Sequence, residues 1–313
     1  MSAQYTVLLA TEKSFSASAV SAIAAALPAK FNLVKLESYK NREQLLEAAA
    51  SADACIVRSD KCDAEFFAHA KKLRVLVRAG AGVDTIDLDA ATKNNVVVMN
   101  TPGQNSNAVA ELAFGMMLSH IRSHYDGGMG TELRGKRLGL HGCGNVSKYM
   151  ILLAKGFGMS VIAFDPFLTP DQIRAVGAEP AEKLEQIFTS DFVSLHIPLT
   201  NETRASINKS LISLMPANGV LVNTARQEVI HEDDLLAELK ARQDWGYLAD
   251  VVPGNFEAIK EALGGSRFTK QVLVTPKKMG AQTAEANNNC APAAARQIVA
   301  FFENGETKFQ VNK

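Results

Sequence analysis

Short apolar runs rich in β-branched residues alternate along the chain with longer segments rich in Ala and Leu. Segments such as Ser14–Leu27 and Arg42–Ala50 have the pattern of helices. The short runs of the first hundred residues predict five buried strands, at Tyr5–Ala10, Asn32–Leu36, Ala54–Arg58, Arg74–Val77 and Val96–Met99. Because parallel strands need a crossover connection, usually a helix, this alternation predicts a parallel sheet covered on both faces.

The same alternation begins again after residue 136, between two long apolar helical segments at Asn107–Arg122 and Thr283–Glu303. Six further strands are predicted, at Arg137–His141, Ser160–Phe164, Phe192–Leu195, Gly219–Asn223, Gly246–Val251 and Gln271–Val274. The predicted fold class is α/β, with two doubly wound parallel-sheet domains. We expect residues 1–102 plus 283–313 to form a flavodoxin-like domain that binds the substrate, and residues 103–282 to form a Rossmann-type domain inserted into it.

A glycine-rich turn follows the first strand of the second set and opens an amphipathic helix. Gly142 and Gly144 fit a phosphate-binding turn, with Asn145 and Val146 starting the helix and Ser147 in place of a third glycine. Backbone N–H groups at such a helix start can approach a pyrophosphate. The next strand ends in Asp165, about 20 residues on, where an acid binds the ribose hydroxyls of NAD and repels a 2′-phosphate. The spacing therefore predicts NAD rather than NADP; the alternative is that Asp165 is a turn residue.

Composition excludes several other classes of protein. The 313 residues carry 33 Lys plus Arg and 33 Asp plus Glu, so no global charge favours nucleic acid or a membrane surface. The amino terminus lacks the pattern of a secretory signal, and no apolar run approaches the ~20 residues of a membrane span. Four scattered cysteines predict neither a disulfide scaffold nor a metal site, and the expected location is cytoplasmic.

Several motifs in the same order resemble the signatures of the D-2-hydroxyacid dehydrogenases. They are VRAGAGVD, MNTPGQNSNAVAEL, GKRLGLHGCGNV, LHIPLT and VNTAR. The carboxyl-terminal segments TPKKMGAQT and FFENGETKFQVNK resemble the short phosphoglycerate dehydrogenases of that family, which lack a regulatory domain. The resemblance implies an NAD-dependent enzyme that oxidises a small molecule, 3-phosphoglycerate, and forms a homodimer. The apolar surface of Asn107–Arg122, more than one sheet face can cover, also favours a dimer.

The resemblance also implies roles for individual residues. Arg226 corresponds to the catalytic arginine, which pairs with the substrate carboxylate and polarises the C2 oxygen. Asp250 corresponds to the acid that holds the nicotinamide carboxamide, and His196 to a cofactor neighbour, although His196 could otherwise carry the proton. The remaining implied contacts are Pro198, Thr224, Ala225 and Gly280 for the cofactor, and the backbone of Ala79, Gly80 and Ala81 for the substrate carboxylate.

The sequence departs from the family at two active-site positions. The usual T-P-H-I-G becomes TPKKMG, which has one extra residue. Alignment on the Met-Gly end places Lys278 at the histidine position, and alignment on Thr-Pro places Lys277 there; the first is preferred. The family glutamate corresponds to Asn255, so that Glu257 is the candidate to replace it. An unperturbed lysine pKa of ~10.4 suits a general acid, and burial and Arg226 are expected to lower the pKa of Lys278. Alternatively, Lys278 only donates a hydrogen bond to the substrate or the carboxamide, and the proton moves through water.

Three basic residues follow neighbouring strands of the first predicted sheet. Arg58, Lys61 and Arg78 are expected to converge at its carboxyl edge and to bind a phosphate, although Asp60 lies among them. Two alternatives remain open. A hydroxypyruvate or glyoxylate reductase would need the same cofactor site without the phosphate cluster. An NAD(H)-sensing protein of this fold would bind the cofactor without turnover.

Overall fold

The structure is a computed structural model and describes residues 4–312. Within it the chain divides into two compact units. The first comprises the residues up to Asn105 together with those from Thr283 onward, and the second comprises Ser106–Gln282. Among residues 4–312, no helix combines the length and apolar character that crossing a membrane requires.

The first unit is built on five parallel strands. The strands are β1 (Tyr5–Thr11), β2 (Phe31–Glu37), β3 (Ala54–Val57), β4 (Val75–Arg78) and β5 (Val97–Asn100). They are connected by α1 (Ala17–Ala26), α2 (Arg42–Ala49), α3 (Ala64–His69) and α4 (Leu88–Lys93). Their order is β2-β1-β3-β4-β5, which is the flavodoxin-like arrangement. The five strands and their order agree with the predicted sheet.

The second unit contains a seven-stranded parallel sheet. Its strands are β6 (Arg137–His141), β7 (Ser160–Phe164), β8 (Glu179–Pro180), β9 (Phe192–Leu195), β10 (Val220–Asn223), β11 (Gly246–Ala249) and β12 (Val272–Val274). Its helices are α5 (Ser106–Ile121), α6 (Asn145–Gly156), α7 (Pro170–Ala175), α8 (Leu184–Ile187), α9 (Lys209–Ile212), α10 (Glu232–Ala241), α11 (Phe256–Leu263) and α12 (Gly265–Gln271). The final helix, α13 (Ala284–Asn304), belongs to the first unit.

The strand order β12-β11-β10-β9-β6-β7-β8 is that of a Rossmann sheet with one additional edge strand, β12. Each sheet has an apolar cluster on both faces, as buried parallel strands require. The strand order also locates the expected ligand site. β6 and β9 are neighbours in the sheet, but the chain between them first forms β7 and β8 on the other side of β6. The carboxyl ends of β6 and β9 therefore flank the topological switch point at which such folds bind nucleotides.

One strand of the second sheet is missing from the sequence prediction. The sequence predicts six strands, whereas β8 makes a seventh, pairing with β7 through Ile162–Glu179 and Ala163–Pro180. Two residues are too few for an apolar run, and proline cannot donate to a sheet and is confined to edges. The predicted boundaries of β6, β7 and β9 match the structure. The predicted Gly246–Val251 strand is two residues too long, because β11 ends before Asp250.

Candidate cofactor and substrate sites

The glycine-rich turn lies at the carboxyl end of β6, at the switch point. Gly142 has a φ of +88°, and a Cβ there would lie 2.9 Å from the carbonyl oxygen of His196, so only glycine fits. Gly144 caps α6 without any side-chain hydrogen bond, and a Cβ on Gly144 would meet nothing within 4 Å. The amino terminus of this twelve-residue helix therefore has neither a side-chain cap nor a crowded cap residue. This arrangement fits the pyrophosphate of a dinucleotide.

Asp165 immediately follows β7 and connects the two loops of this edge. One carboxylate oxygen accepts a hydrogen bond from the N–H of Cys143 at 2.8 Å, and the other accepts one from the N–H of Phe167 at 2.9 Å. The carboxylate is thus held beside the glycine-rich turn, where the sequence places the ribose-binding acid. The hydrogen bond from the Phe167 N–H also makes Asp165 a turn residue, which is the alternative that the sequence leaves open. Its role at the ribose stays a prediction.

Two histidines lie behind the turn. Burial lowers the pKa of His196 to about 3, and His141 lowers it as well; burial lowers the pKa of His141 to about 4 against the opposing effect of Asp165. Both rings are therefore neutral at pH 7. The two ring nitrogens of His196 lie 2.9 Å from the Ser194 hydroxyl and 3.5 Å from the Thr224 hydroxyl. A neutral ring held in this way is a poor proton carrier, which supports the prediction that His196 is a cofactor neighbour.

Arg226 follows β10 and is fixed by its own loop. The Asn223 side chain accepts a hydrogen bond from the N–H of Ala225 at 3.0 Å and donates one to the carbonyl of Arg226 at 2.9 Å. The guanidinium also donates to the carbonyl of Ala225 at 2.9 Å. Asn223 is therefore a positioning residue that sequence reasoning overlooked. Its place at the end of a buried strand, directly before Thr224-Ala225-Arg226, is the signal that could have identified it.

In the first unit, Arg78 and Arg58 are neighbours. The Arg78 Nε donates to the carbonyl of Arg58 at 2.8 Å, and the Arg58 guanidinium lies over the Phe15 ring, 5.6 Å from its centroid. Burial lowers the pKa of the Arg58 side chain, since part of its hydration is lost. Lys61 is directed elsewhere, because its ammonium pairs with Asp63 at 3.3 Å.

Asp60 does not oppose a phosphate in the way that the sequence suggests. Its side chain is 3% exposed and accepts hydrogen bonds from the Glu12 N–H, the Arg58 N–H and the Tyr39 hydroxyl. This carboxylate is committed to holding three segments of the first unit together. The cluster expected from the sequence therefore consists of two adjacent arginines, with Lys61 paired to Asp63 and Asp60 turned into the interior.

The small-residue loop after β4 is held by backbone hydrogen bonds. The N–H of Ala79 donates to Val57, and the N–H of Gly80 donates to Arg78. The carbonyl of Ala81 accepts from the Asn100 side chain at 2.6 Å. Of the three residues expected to cradle a carboxylate, Ala81 is thus the candidate donor.

Comparison with known proteins places this geometry in a family. Residues 114–277 match the family described as D-isomer specific 2-hydroxyacid dehydrogenase, NAD binding domain. The chain belongs to this family. It is similar to the NAD+-bound 3-phosphoglycerate dehydrogenase of Entamoeba histolytica, with a TM-score of 0.89, 41% identity and 99% of both chains covered. The second unit is accordingly an NAD-binding domain, as the glycine-rich turn predicts.

Two curated relatives illustrate the range of the family. D-3-phosphoglycerate dehydrogenase of Methanocaldococcus jannaschii is 34% identical over 280 residues, which are 85% of this chain and 52% of the relative. Glyoxylate reductase of Thermococcus litoralis is 31% identical over 293 residues, 87% of each protein. The chain spans about half the length of the curated phosphoglycerate dehydrogenases that it matches.

The segment in which this chain departs from the D-2-hydroxyacid dehydrogenase pattern is the loop after β12. Lys277 and Lys278 are both exposed. Lys278 is therefore not in the buried environment expected from the sequence. The Met279-Gly280 end is anchored by hydrogen bonds from both backbone N–H groups to Asp250, which supports the alignment that uses this end.

Glu257 and Asn255 lie at the start of α11. Glu257 is exposed in the first turn of the helix. Asn255 precedes the helix, and its Nδ2 donates to the carbonyl of Glu232 at 2.7 Å. Asn255 therefore has a structural partner within the second unit, and Glu257 remains the candidate for the glutamate role.

Proposed function

We propose that this protein is an NAD-dependent dehydrogenase that oxidises D-3-phosphoglycerate to 3-phosphohydroxypyruvate, the first step of phosphorylated serine biosynthesis. The observation that carries the proposal is the position of Arg226 at the same sheet edge as the glycine-rich turn and Asp165. This edge combines a dinucleotide site with a planar cation suited to a 2-hydroxy acid. The similarity to a 3-phosphoglycerate dehydrogenase along the whole chain supports the choice of substrate.

Within this proposal, the second unit carries out the chemistry. Bound NAD+ supplies the acceptor for the hydride that leaves C2. Arg226 pairs with the substrate carboxylate and polarises the C2 oxygen, since its planar fork suits both contacts. Asn223 holds the backbone of the loop from which Arg226 extends. The amine of Lys278 takes the hydroxyl proton during oxidation, and the ammonium returns it during reduction. Glu257 is the candidate partner of that lysine. Asp165 selects NAD over NADP, while the neutral His196 and the nearby Pro198, Thr224 and Ala225 line the nicotinamide pocket.

The first unit supplies the contacts that recognise a phosphorylated substrate. We assign the phosphate to Arg58 and Arg78, because the Arg78 side chain donates a hydrogen bond to the backbone carbonyl of Arg58 and so lies beside it. A guanidinium pair binds phosphate oxygens through several directed N–H groups. Lys61 has a secondary role, because it is shared with Asp63. The Ala81 N–H is the proposed donor to the substrate carboxylate.

We also propose that the protein forms a homodimer through the second unit. The face of α6 leaves large apolar side chains in solvent: Leu152 is 66% exposed, and Tyr149 and Phe157 are each 37% exposed. Met129, in the segment between α5 and β6, is 99% exposed. Tyr149 and Leu152 are three positions apart on one helix and so lie on one face. Exposed apolar patches mark protein contact sites, and a second copy of this chain is the proposed occupant.

A substrate panel tests the proposed activity. We expect NAD+ reduction with 3-phosphoglycerate to exceed that with D-glycerate, D-lactate and 2-hydroxyglutarate in kcat/KM. Arg58→Ala and Arg78→Ala should raise KM for 3-phosphoglycerate but leave the slow reaction with D-glycerate unchanged. A preference for glyoxylate or hydroxypyruvate with NADH would favour the reductase, for which the relative at 31% identity is the support. NADH binding without turnover of any substrate would favour the sensing protein.

A further inference from the structure

The carboxylate of Asp250 binds both ends of the loop that carries the two lysines. One oxygen, Oδ1, accepts a hydrogen bond from the Thr275 hydroxyl at 2.8 Å and another from the Met279 N–H at 2.6 Å. The other oxygen, Oδ2, accepts the Gly280 N–H at 2.7 Å. The side chain is 1% exposed. Three donors from one six-residue segment therefore converge on a single buried acid.

The loop begins where the sheet ends. The N–H of Thr275 donates to the carbonyl of Ala249, which extends the pairing of β12 with β11 by one residue. Asp250 follows Ala249 directly, so its carboxylate is carried by the sheet rather than by the loop. Lys277 and Lys278 lie between the two ends of this segment, and hydrogen bonds hold both ends to the edge of the sheet.

Gly280 permits the close approach on which this geometry depends. A Cβ at Gly280 would lie 2.9 Å from the Asp250 Oδ2 and 3.2 Å from the Val109 Cγ2. The first distance would push the carboxylate away from the N–H that it binds. A glycine is required at position 280 because its backbone N–H donates the hydrogen bond to the Asp250 carboxylate.

The resemblance to the family assigns Asp250 to the nicotinamide carboxamide. An ionised carboxylate offers about four acceptor sites on its two oxygens, and three donors of the loop already use this one. The contacts present within the second unit are thus all directed at the loop. They hold the loop before any ligand binds and leave about one acceptor site unused.

We propose that Asp250 is a positioning residue that fixes the 275–280 loop and thereby places the lysine that exchanges the substrate proton. The inference rests on the proposed function, since the position of a lysine matters to turnover only if that lysine transfers the proton. Hydrogen bonds to an ionised acceptor are about twice as strong as neutral ones, so this contact dominates the order of a short exposed loop. Asparagine cannot replace it, because its Nδ2 is a donor and would face another donor.

Amide hydrogen exchange tests the clamp without reference to activity. In the intact protein with no ligand, Asp250→Asn should accelerate exchange of the Met279 and Gly280 amides by at least about tenfold. Thr275→Val, which removes one donor and leaves the acid in place, should give a smaller acceleration in the same segment. Exchange at β10 should be unchanged in both variants, which controls for general unfolding. Unchanged exchange at Met279 and Gly280 in Asp250→Asn would overturn the proposal.

A double-variant comparison tests the link to the lysines. Asp250→Asn should lower kcat about 10- to 100-fold while the Kd for NADH changes less than about threefold. In a protein that already carries Lys277→Ala and Lys278→Ala, the same change should lower kcat no further. Two results would show that Asp250 acts on the cofactor directly and would overturn the proposal. One is a further fall in kcat when Asp250→Asn is added to the double lysine variant. The other is a Kd for NADH that rises as much as kcat falls. If no substrate is turned over, the proposed function fails, and the exchange result alone decides whether the clamp exists.

Discussion

The hydroxyl of Ser147 donates a hydrogen bond to the carbonyl oxygen of Gly142 at 2.6 Å, across the turn that opens α6. Ser147 is fully buried and stands where a dinucleotide-binding turn has its third glycine. In that pattern the third glycine allows the helix to pack closely on the strand. Here a small side chain fits and also holds Gly142 in the positive-φ conformation that the turn requires.

Removing this hydroxyl should weaken cofactor binding. We expect Ser147→Ala to raise the Kd for NADH about 2- to 10-fold, the worth of one hydrogen bond of roughly 0.5–1.5 kcal/mol. Ser147→Gly restores the glycine pattern and serves as the comparison, and it should be weakened similarly. Tryptophan or NADH fluorescence titration measures both. NADH affinity equal to that of the native protein in Ser147→Ala would show that packing alone maintains the turn.

Asp165 should set the choice between the two nicotinamide cofactors. We expect Asp165→Ser to reduce the preference for NAD over NADP by about 1–3 kcal/mol, the scale of a charge-assisted hydrogen bond. Because the carboxylate also binds the N–H groups of Cys143 and Phe167, affinity for both cofactors should fall somewhat. The ratio of kcat/KM values for the two cofactors separates these effects. An unchanged ratio would mean that the ribose lies elsewhere.

Stability should fall as the pH drops from about 6.5 toward 5. Burial lowers the pKa values of His120 and His141 to about 4 and that of His196 to about 3. The unfolded chain, with histidine pKa values near ~6.5, therefore binds protons before the folded one does, and protonation favours unfolding. Denaturation by urea between pH 7.5 and 5 should show this decline, and His141→Gln should reduce its slope. A free energy of unfolding that stays constant over this range would contradict the burial of these rings.

The exposed face of α6 should be the contact surface of the dimer. Leu152→Glu places a charge where an apolar side chain is 66% exposed, and it should convert a dimer into a monomer at micromolar concentration. Multi-angle light scattering measures the mass directly. Glu185→Leu, on α8 of the same unit, is the matched control and should leave the mass unchanged. A monomeric native protein would refute the dimer itself.

The sequence predicts the fold well because its signals are local. The apolar runs of β6, β7 and β9 are bounded by polar or glycine residues, and their limits agree with the structure. The Gly142 turn and Asp165 have a spacing that follows from one strand–helix–strand unit. By contrast, β8 has only two residues, and its pairing depends on the neighbouring β7 rather than on any pattern of its own.

The details of the sites are less predictable, because they depend on which partner each side chain selects. Lys61 and Asp60 lie close to Arg58 in the sequence, but Lys61 pairs with Asp63, and Asp60 accepts hydrogen bonds from Tyr39 and Glu12 as well as from the Arg58 N–H. The contact of Asp250 with Thr275 and Gly280 joins residues about 25 to 30 positions apart. The local sequence pattern does not show which of these side chains bind one another and which remain in solvent.

The pH dependence of turnover in both directions tests the central claim most directly, namely that a lysine of the 275–280 loop exchanges the proton of a 2-hydroxy acid. Oxidation of 3-phosphoglycerate needs the neutral amine and should accelerate as the pH rises, whereas reduction of 3-phosphohydroxypyruvate needs the ammonium and should slow. Lys278→Ala should lower kcat about 10²- to 10⁴-fold with NADH affinity nearly unchanged, and Lys277→Ala should be mild. Equal pH profiles in the two directions, together with full activity of both alanine variants, would contradict the account.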